Sequence, residues 1–425
     1  MAPNLRRFTG ISRPFMLMML TVSTGMSLLI TTVRAEYEEP PTLSATELLG
    51  PELVKGPNHT VVEQVRNDGL FNHYTVDSPF AAFEVSSTSA LKFLINEINA
   101  IAEMKKVKTD DTAVASLKQS AENTATGIKN LFTNTEETLK GAASGVQSLF
   151  HRAKETIGSR DPTSAEDNRA KQIIGYSKAK GDIATTYNVN VYSRNQVLQE
   201  ELDRLAWADY LGGLGVGLAT AAVPGVGGVV LSASGTARLL NEAINTTPAS
   251  ELWVQNRDKL VALGLASDTV QLFLNNEVFS PALATVMTSA LEAMKGVGNL
   301  ELFLKVCLQA STPDMASVIT ELTVLTAGYH MHVKPLAGIV PMARITRAID
   351  ADGKAVVVVP ADYVVWSGKL HDALNQVSEE TKGDQNTAKE LWVLGNLSAR
   401  ALDESEKAGW TVHTGAGAQL LPQKQ

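Results

Sequence analysis

The sequence predicts an α+β fold with a predominantly α-helical middle, because its hydrophobic spacing changes twice along the chain. Residues 61–85 hold short runs of β-branched and aromatic side chains broken by turn residues, which is typical of a small N-terminal β-meander. Residues 193–333 repeat apolar side chains at helical intervals with short connections, which favours an antiparallel helical bundle. Residues 334–425 mix both patterns and predict a C-terminal α/β piece.

The N-terminal unit, residues 36–106, is expected to contain a meander and one helix, with a strong turn signal at Asn67-Asp68-Gly69. The strands are expected at 61–65, 70–76 and 80–85. A helix should begin near Ser87–Ser89 and cover one face of the meander with an apolar stripe. The stripe consists of Leu91, Leu94, Ile95, Ile98 and Ile101. Residues 36–58 are rich in proline and are expected to be irregular.

The middle of the chain indicates helices throughout. Residues 107–192 are polar and predict long, weakly amphipathic helices. Ser193 is the expected N-cap of the first helix of the bundle, while Pro248 and Gly264 should begin and end the second. Further helices are expected at 267–276, 281–294, 299–310 and 312–330.

The C-terminal piece, residues 334–425, should begin with a hairpin and end with a βαβ unit. Two β-rich runs, 338–349 and 354–359, are joined by Asp350-Ala351-Asp352-Gly353, a turn signal because Asp-Gly tolerates positive φ. A helix is expected at 370–377. The βαβ unit would consist of a strand at 391–394, a helix capped by Asn396 or Ser398 and ended by Gly409, and a strand at 410–413.

The first 35 residues have the three parts of a cleavable signal peptide. An arginine-containing start precedes an apolar run over Phe15–Val33, and Val33-Arg34-Ala35 matches a small-x-small cleavage pattern. An uncleaved anchor helix is the alternative, because the apolar run is long. Cleavage would leave 33 basic and 45 acidic residues and a formal charge of −12.

This composition argues against several classes of function. A charge of −12 disfavours nucleic-acid binding, which needs clustered Lys and Arg. No Gly-rich phosphate motif follows a predicted strand, so no nucleotide cofactor is expected, and Tyr176 and Lys180 lack the context of the dehydrogenase pair whose spacing they share. The single cysteine, Cys307, cannot form an internal disulfide and excludes the common Cys-based zinc sites.

The most unusual segment is Tyr210–Ala237, which carries no charged residue over 28 positions. Gly213 and Gly217 are spaced for close helix contact, Leu218 adds apolar mass, and Pro224-Gly225 divides the run into two pieces. The favoured interpretation is a buried helical hairpin within the bundle, and the alternative is a hairpin that inserts into a membrane. A phosphate loop is disfavoured because its Gly-Lys-Ser/Thr ending is missing.

Two histidines form a weak candidate metal site. His330 and His332 would share one face of a strand but point apart on a helix, and the apolar spacing before them favours a helix end. A third ligand would have to be His371 or Asp362. We therefore expect no metal ion and a polar pair at a helix end. For Asp362, which follows a β-run, capping of a helix N-terminus is favoured over a catalytic role.

Catalytic motifs are also missing from the sequence. There is no Gly-x-Ser-x-Gly elbow and no His-Glu-x-x-His pair, although a dispersed hydrolase triad would leave no motif. The acids Glu200, Glu201 and Asp203 lie on one predicted helix and are interpreted as its solvated face.

Five stretches of the chain carry a resemblance to other sequences: Asp68–Val76, Val191–Leu202, Tyr329-His330, Val359–Tyr363 with Trp366, and Leu391–Val412. Together they resemble an uncharacterised family of exported proteobacterial proteins with no assigned activity. The resemblance covers most of the mature chain. It implies export and a single architecture, and it implies no ligand or catalytic residue.

The function these features favour is that of an exported cell-envelope protein, periplasmic or secreted, that acts as a non-enzymatic interaction or structural protein. Its partner would be another envelope protein or a membrane surface. One alternative is an exported hydrolase with a dispersed active site in the C-terminal region. Another is a membrane-inserting protein that uses residues 210–237.

Overall fold

The computed structural model of the protein describes residues 37–108, 164–210, 235–342, 345–381 and 388–422. In these ranges the chain has a mixed α+β fold with an N-terminal antiparallel sheet, as predicted. The predicted signal peptide, most of the polar stretch 107–192, and the segment residues Gly213, Gly217, Leu218, Pro224 and Gly225 lie outside the described residues. None of the described helices is both long enough and apolar enough to cross a bilayer.

The N-terminal sheet is built around a central strand. Its strands in the described residues are β1 (Thr42–Ser44), β2 (Lys55–Gly56), β3 (His59–Val61), β4 (Gln64–Asn67), β5 (Asn72–Asp77) and β6 (Ala82–Ser86). Both β3 and β4 pair with one edge of β5, and β6 pairs with the other edge. The predicted strand at 61–65 is therefore broken in two, and the order β3/β4, β5, β6 is the expected meander.

The prediction that residues 36–58 are irregular is wrong. Besides β1 and β2, they hold two short helices, α1 (Ala45–Leu48) and α2 (Pro51–Val54). The Ser44 hydroxyl accepts a hydrogen bond from the backbone N–H of Glu47 and caps α1. Pro51 lies in the first turn of α2, where its missing N–H leaves no bond unmade. The proline therefore begins a helix here.

Helix α3 (Thr88–Lys106) covers the sheet, as its apolar stripe predicts. Ser87 is the N-cap and accepts from the N–H of Ala90. The stripe packs against Val65, Tyr74 and Val76 of the sheet in one core cluster. Ile101 and Met104, further along α3, belong to a second cluster with the helices that follow.

Eight helices occupy the described part of residues 164–333: α4 (Ser164–Thr186), α5 (Gln196–Tyr210), α6 (Gly235–Thr246), α7 (Ala249–Ala262), α8 (Ser267–Leu274), α9 (Pro281–Ala293), α10 (Glu301–Cys307) and α11 (Pro313–His332). Helix α9 packs against both α7 and α11. Gly264 has φ +83° and ends α7 as predicted. Ser193 is not the cap of α5, since the Asn195 side chain accepts from the N–H of Leu198 instead.

The prediction that Glu200, Glu201 and Asp203 form a solvated face of α5 is wrong for two of the three. Glu201 is buried and accepts hydrogen bonds from Lys105 Nζ at 2.9 Å and Arg204 Nε at 2.8 Å. Asp203 is bound by the Tyr176 hydroxyl and by Lys180. Arg204 lies on α5 itself, but Lys105 comes from α3 and Tyr176 and Lys180 come from α4, so the sequence of α5 alone could not reveal these three partners.

The C-terminal region contains a second sheet whose strand order is β13-β11-β9-β8-β7. Its elements are β7 (Leu336–Met342), β8 (Ile345–Asp350), β9 (Ala355–Val359), β10 (Tyr363–Val364), α12 (Gly368–Glu380), β11 (Lys389–Val393), β12 (Asn396–Leu397), α13 (Ala399–Lys407), β13 (Trp410–His413) and α14 (Gly417–Leu420). Strands β7, β8 and β9 are antiparallel, while β9, β11 and β13 run parallel.

The turn chemistry of this region agrees with the sequence. Gly353 in the β8–β9 hairpin has φ +83°, and Gly409 after α13 has φ +80°. Of the two candidate caps of α13, Ser398 accepts from the N–H of Ala401, so Ser398 is the cap. The predicted β-run 338–349 is two strands, since β7 ends at Met342 and β8 begins at Ile345.

Candidate functional site

A cavity of about 1180 Å³ lies where the N-terminal sheet and α3 meet α9 and α11. Its wall is largely apolar. The apolar lining includes Phe71, Phe93, Leu283, Val286, Met315, Val318, Ile319 and Val324. The size is slightly above the usual range of small-molecule sites, about 300–1,000 Å³. The space suits an organic ligand larger than a metabolite fragment.

Strand β5 contributes side chains from both of its faces to the cavity wall. Asn72, Tyr74 and Val76 are buried, whereas the intervening His73 and Thr75 are only partly buried. His73, Tyr74 and Thr75 all line the cavity, so the partly buried face adds polar groups to a wall that the buried face reaches through Tyr74.

Glu321 is an acid of α11 in this wall. Its carboxylate accepts a hydrogen bond from the Ser89 hydroxyl of α3 at 2.7 Å. Burial raises the pKa of Glu321 to about 7; the Ser89 bond opposes this shift, and the charge of Asp362 adds to it. Glu321 can therefore change its charge near neutral pH.

Glu97 is a second enclosed acid in the wall, on α3. It accepts hydrogen bonds from the Ser193 hydroxyl at 2.5 Å and from Asn195 Nδ2 at 3.0 Å. Burial raises the pKa of Glu97, while these two bonds and the charge of Arg194 counteract the rise. The groups that bind the two acids are neutral, and within the described ranges no basic side chain is hydrogen-bonded to either carboxylate.

The charge of the lining is unbalanced. Among the described residues, the cavity is lined by five acids and two arginines: Asp68, Glu84, Glu97, Asp314 and Glu321, with Arg66 and Arg194. Arg194 is paired with Asp314, 2.6 Å away. The lining therefore contains more acids than basic residues, and two of the acids, Glu97 and Glu321, lie among its apolar side chains.

Three further polar side chains form a hydrogen-bonded chain on the sheet face. Ser86 Oγ lies 2.9 Å from His73 Nδ1, and His73 Nε2 lies 2.9 Å from Asp68 Oδ2. All three residues line the cavity. His73 and Ser86 are direct partners across β5 and β6, so the sheet register itself sets the first contact.

Asp362 is not the N-cap that was predicted, since Ser367 caps the next helix, α12, and Ser87 caps α3; instead it binds the first backbone N–H of α3. Its two carboxylate oxygens accept from the backbone N–H of Asn72 at 3.0 Å and of Thr88, the first residue of α3, at 2.9 Å. Burial raises the pKa of Asp362, and the two N–H groups oppose the rise. Asp362 therefore joins the C-terminal region to the N-terminal sheet and has a structural role.

Within the described residues, the structure does not bring His330 and His332 together with a third metal ligand. His330 and His332 lie in the last turn of α11, and His330 Nδ1 accepts from the N–H of Leu336 at 2.9 Å. His371, on α12, is bonded to Asn375. Within the described ranges no three His, Cys, Asp or Glu side chains are arranged to hold a metal ion.

Sequence reasoning missed Glu97, Glu321 and the chain formed by Asp68, His73 and Ser86. One signal was available, since Glu321 is a lone acid between Thr320 and Leu322 in a helix that is otherwise apolar at its centre. An isolated acid on an apolar helix needs a partner or a function.

Comparisons with known proteins give no guide to this site. No family model, no curated protein and no solved structure matches the chain. The function therefore has to be argued from the cavity and the groups that line it.

Proposed function

We propose that the protein is a binding protein of the cell envelope whose cavity holds an amphipathic amine, a molecule with an apolar chain and a cationic head. The observation that supports this proposal is the presence of Glu97 and Glu321 in a largely apolar wall. The sequence alone favours a protein that interacts with partners through its helical surfaces, whereas the cavity supports the binding of a small ligand.

Enclosing a carboxylate in a largely apolar wall costs free energy. An enclosed charge is unfavourable unless another charge or several hydrogen bonds compensate for it. Glu321 has Ser89 as its hydrogen-bond donor, and Glu97 has Ser193 and Asn195. An ammonium group would supply the missing positive charge, and charge-assisted hydrogen bonds are about twice as strong as neutral ones.

The apolar part of the ligand would lie along the side chains of α9 and α11. Phe93 and Met315 also line the cavity, and both are more than 40% exposed. Burial of such surface against an alkyl chain contributes about 0.8 kcal/mol per methylene group. Chain length should therefore raise affinity in regular steps until the cavity is filled.

The test measures displacement of the fluorophore N-phenyl-1-naphthylamine by decylamine, decanol and decanoate at pH 8. Decylamine should displace the probe at the lowest concentration and decanoate at the highest. Glu97→Gln should reduce the preference for decylamine over decanol about tenfold, since about 1.4 kcal/mol corresponds to that factor. Glu84→Gln is the matched control, because Glu84 lines the same cavity but is exposed.

Equal displacement by decylamine and decanoate in the wild-type protein would contradict a cationic preference. Failure of the probe to bind at all would contradict the ligand cavity itself. The first outcome tests the preference for a cation, and the second tests whether the cavity binds an apolar molecule at all.

We also infer that the protein is exported and that residues 1–35 are removed. Support comes from the basic start, the apolar run and the small-x-small pattern of the sequence, together with the family resemblance. Fractionation of cells that express the full chain, with an alkaline wash of the membranes, tests this proposal. A mature protein in the periplasmic or secreted fraction supports it. Retention of the cleaved protein in the washed membrane favours the alternative in which residues 210–237 insert into lipid, whereas retention of the uncleaved protein favours an anchor helix at the N-terminus.

The antiparallel bundle predicted for residues 193–333 stays a proposal. It is supported by the packing of α9 against α7 and α11 and by the short connections between the helices from 249 to 332.

A further inference from the structure

The chain Ser86, His73, Asp68 has the hydrogen-bond order of a nucleophile, a base and an orienting acid. We propose that these residues form a catalytic relay that hydrolyses carboxylic esters with an apolar acyl chain entering the cavity. The activity goes beyond binding, and it uses residues other than Glu97 and Glu321. It also differs from the sequence alternative of a hydrolase in the C-terminal region, because the relay lies on the N-terminal sheet.

Asp68 is held in place by the turn that begins β5. Its Oδ1 accepts from the N–H of Leu70 at 3.0 Å and of Phe71 at 2.8 Å, which leaves Oδ2 for His73. Burial tends to raise the pKa of Asp68, but these backbone bonds and His73 outweigh it and lower the pKa. Asp68 therefore remains a carboxylate that can orient an imidazole.

The tautomer of His73 follows from this contact. A carboxylate can only accept, so His73 Nε2 carries a proton, and in the neutral imidazole Nδ1 then presents its lone pair. Ser86 Oγ is then the donor to Nδ1, as a general base requires. Compared with the serine-protease triad the two ring nitrogens exchange places, but the roles of the three groups are the same.

The local backbone supports a fixed position for Ser86. It is the last residue of β6, and the chain enters α3 directly through Ser87, which has φ +83°. A non-glycine residue with a positive φ of this kind carries about 1–3 kcal/mol of backbone strain, and such strain is frequent beside functional groups. Arg66, the partner of His73 across β4 and β5, brings a cation to the same row of the sheet.

The reaction can be written in two balanced halves. Ser86 Oγ attacks the ester carbonyl carbon while its proton moves to His73 Nδ1, and His73 then gives that proton to the leaving alkoxide, which departs as the alcohol. A water molecule next gives a proton to His73 and attacks the acyl-Ser86 ester. The carboxylic acid leaves, and the proton returns to Ser86. The Arg66 guanidinium, one of two arginines among the described residues that line the cavity, stabilises negative charge on the carbonyl oxygen.

The experiment uses a fluorophosphonate probe that reacts with activated serines, followed by mass spectrometry of the labelled peptide. Attachment is expected at Ser86, with a labelling rate that falls at least about 100-fold in His73→Gln, the usual scale for loss of a general base. Ser86→Ala should abolish labelling. Ser317→Ala is the matched control, since Ser317 is exposed, lines the same cavity and bonds only to the carbonyl of Pro313 among the described contacts.

Hydrolysis of p-nitrophenyl octanoate by the full chain provides a second readout. Its rate should fall in His73→Gln and Ser86→Ala and stay at the wild-type value in Ser317→Ala. Labelling of the wild type no faster than Ser86→Ala, or attachment at a different serine, would overturn the proposal. Because Ser86 is exposed at the end of a strand, the variant should keep the wild-type melting temperature.

Discussion

Replacing Glu321 with glutamine will stabilise the folded protein by about 3 kcal/mol at pH 8 and leave its stability unchanged below about pH 4.5. Glu321 has a pKa of about 7 in the folded state against an ordinary value of 4.5, with burial as the main cause. The folded state therefore holds its proton through a range in which the unfolded chain has lost it.

The difference between the folded and unfolded pKa of Glu321 makes the wild-type protein less stable as pH rises. As pH rises from about 4.5 towards 7, ionisation stabilises the unfolded chain but not the folded one, so folding weakens across that window and then levels. A shift of about one pKa unit corresponds to about 1.4 kcal/mol, which gives the expected size. Glutamine removes this ionisation and can still accept from Ser89 through its amide oxygen.

Urea unfolding of the wild type and Glu321→Gln at several pH values between 4 and 8 measures the effect. Glu84→Gln, at an exposed position of the same cavity wall, should show a difference from wild type that stays near zero throughout. A free-energy gap between the wild type and Glu321→Gln that does not change with pH would show that Glu321 titrates normally.

Replacing Asp362 with alanine should destabilise the protein by about 3–5 kcal/mol, because two backbone donors lose a charged acceptor together. These donors are the N–H groups of Asn72 and Thr88, in β5 and at the start of α3. The Thr88 bond also places a negative charge at a helix N-terminus, where the helix dipole favours it.

Asp362→Asn should lose a large part of the same stability, since its amide nitrogen would oppose one of the two N–H donors. Thermal and urea unfolding of both variants give the measurement. Asp372→Ala on α12 is the control, because that side chain is 83% exposed and, among the described residues, pairs only with His371 at 3.4 Å. A loss below about 1 kcal/mol for Asp362→Ala would contradict the bridging role.

The fold could be predicted where local chemistry decides it. Gly264, Gly353 and Gly409 end their elements with positive φ, and the stripe from Leu91 to Ile101 identified α3 together with its buried face. The error over residues 36–58 came from treating proline only as a breaker, although Pro51 lies at a helix start.

The candidate site could not be predicted for a different physical reason. Glu321 meets Ser89 across 232 positions, and Asp362 meets Thr88 across 274. Such contacts depend on the packing of whole elements and leave no local pattern. Ser86, His73 and Asp68 are closer in sequence, but their hydrogen bonds depend on the register between β5 and β6. Hydrophobic alternation predicts which face of a strand a side chain lies on, but it does not predict which residue of the neighbouring strand lies opposite.

The two enclosed acids should also make the affinity for an amine depend on pH. Glu321 gains its negative charge as pH rises through about 7, so affinity for an ammonium ligand should increase across the same range. Glu97 adds a second carboxylate to the same wall. A protein that takes up amines at neutral pH and releases them on acidification is the behaviour that follows.

A crystal structure of the full chain with decylamine at pH 8 would show whether the cavity binds an amphipathic amine. We expect the alkyl chain inside the cavity and the ammonium nitrogen within about 3 Å of a carboxylate oxygen of Glu97 or Glu321. Decylamine bound elsewhere on the protein, or a cavity that stays free of it at saturating concentration, would rule out the proposed binding.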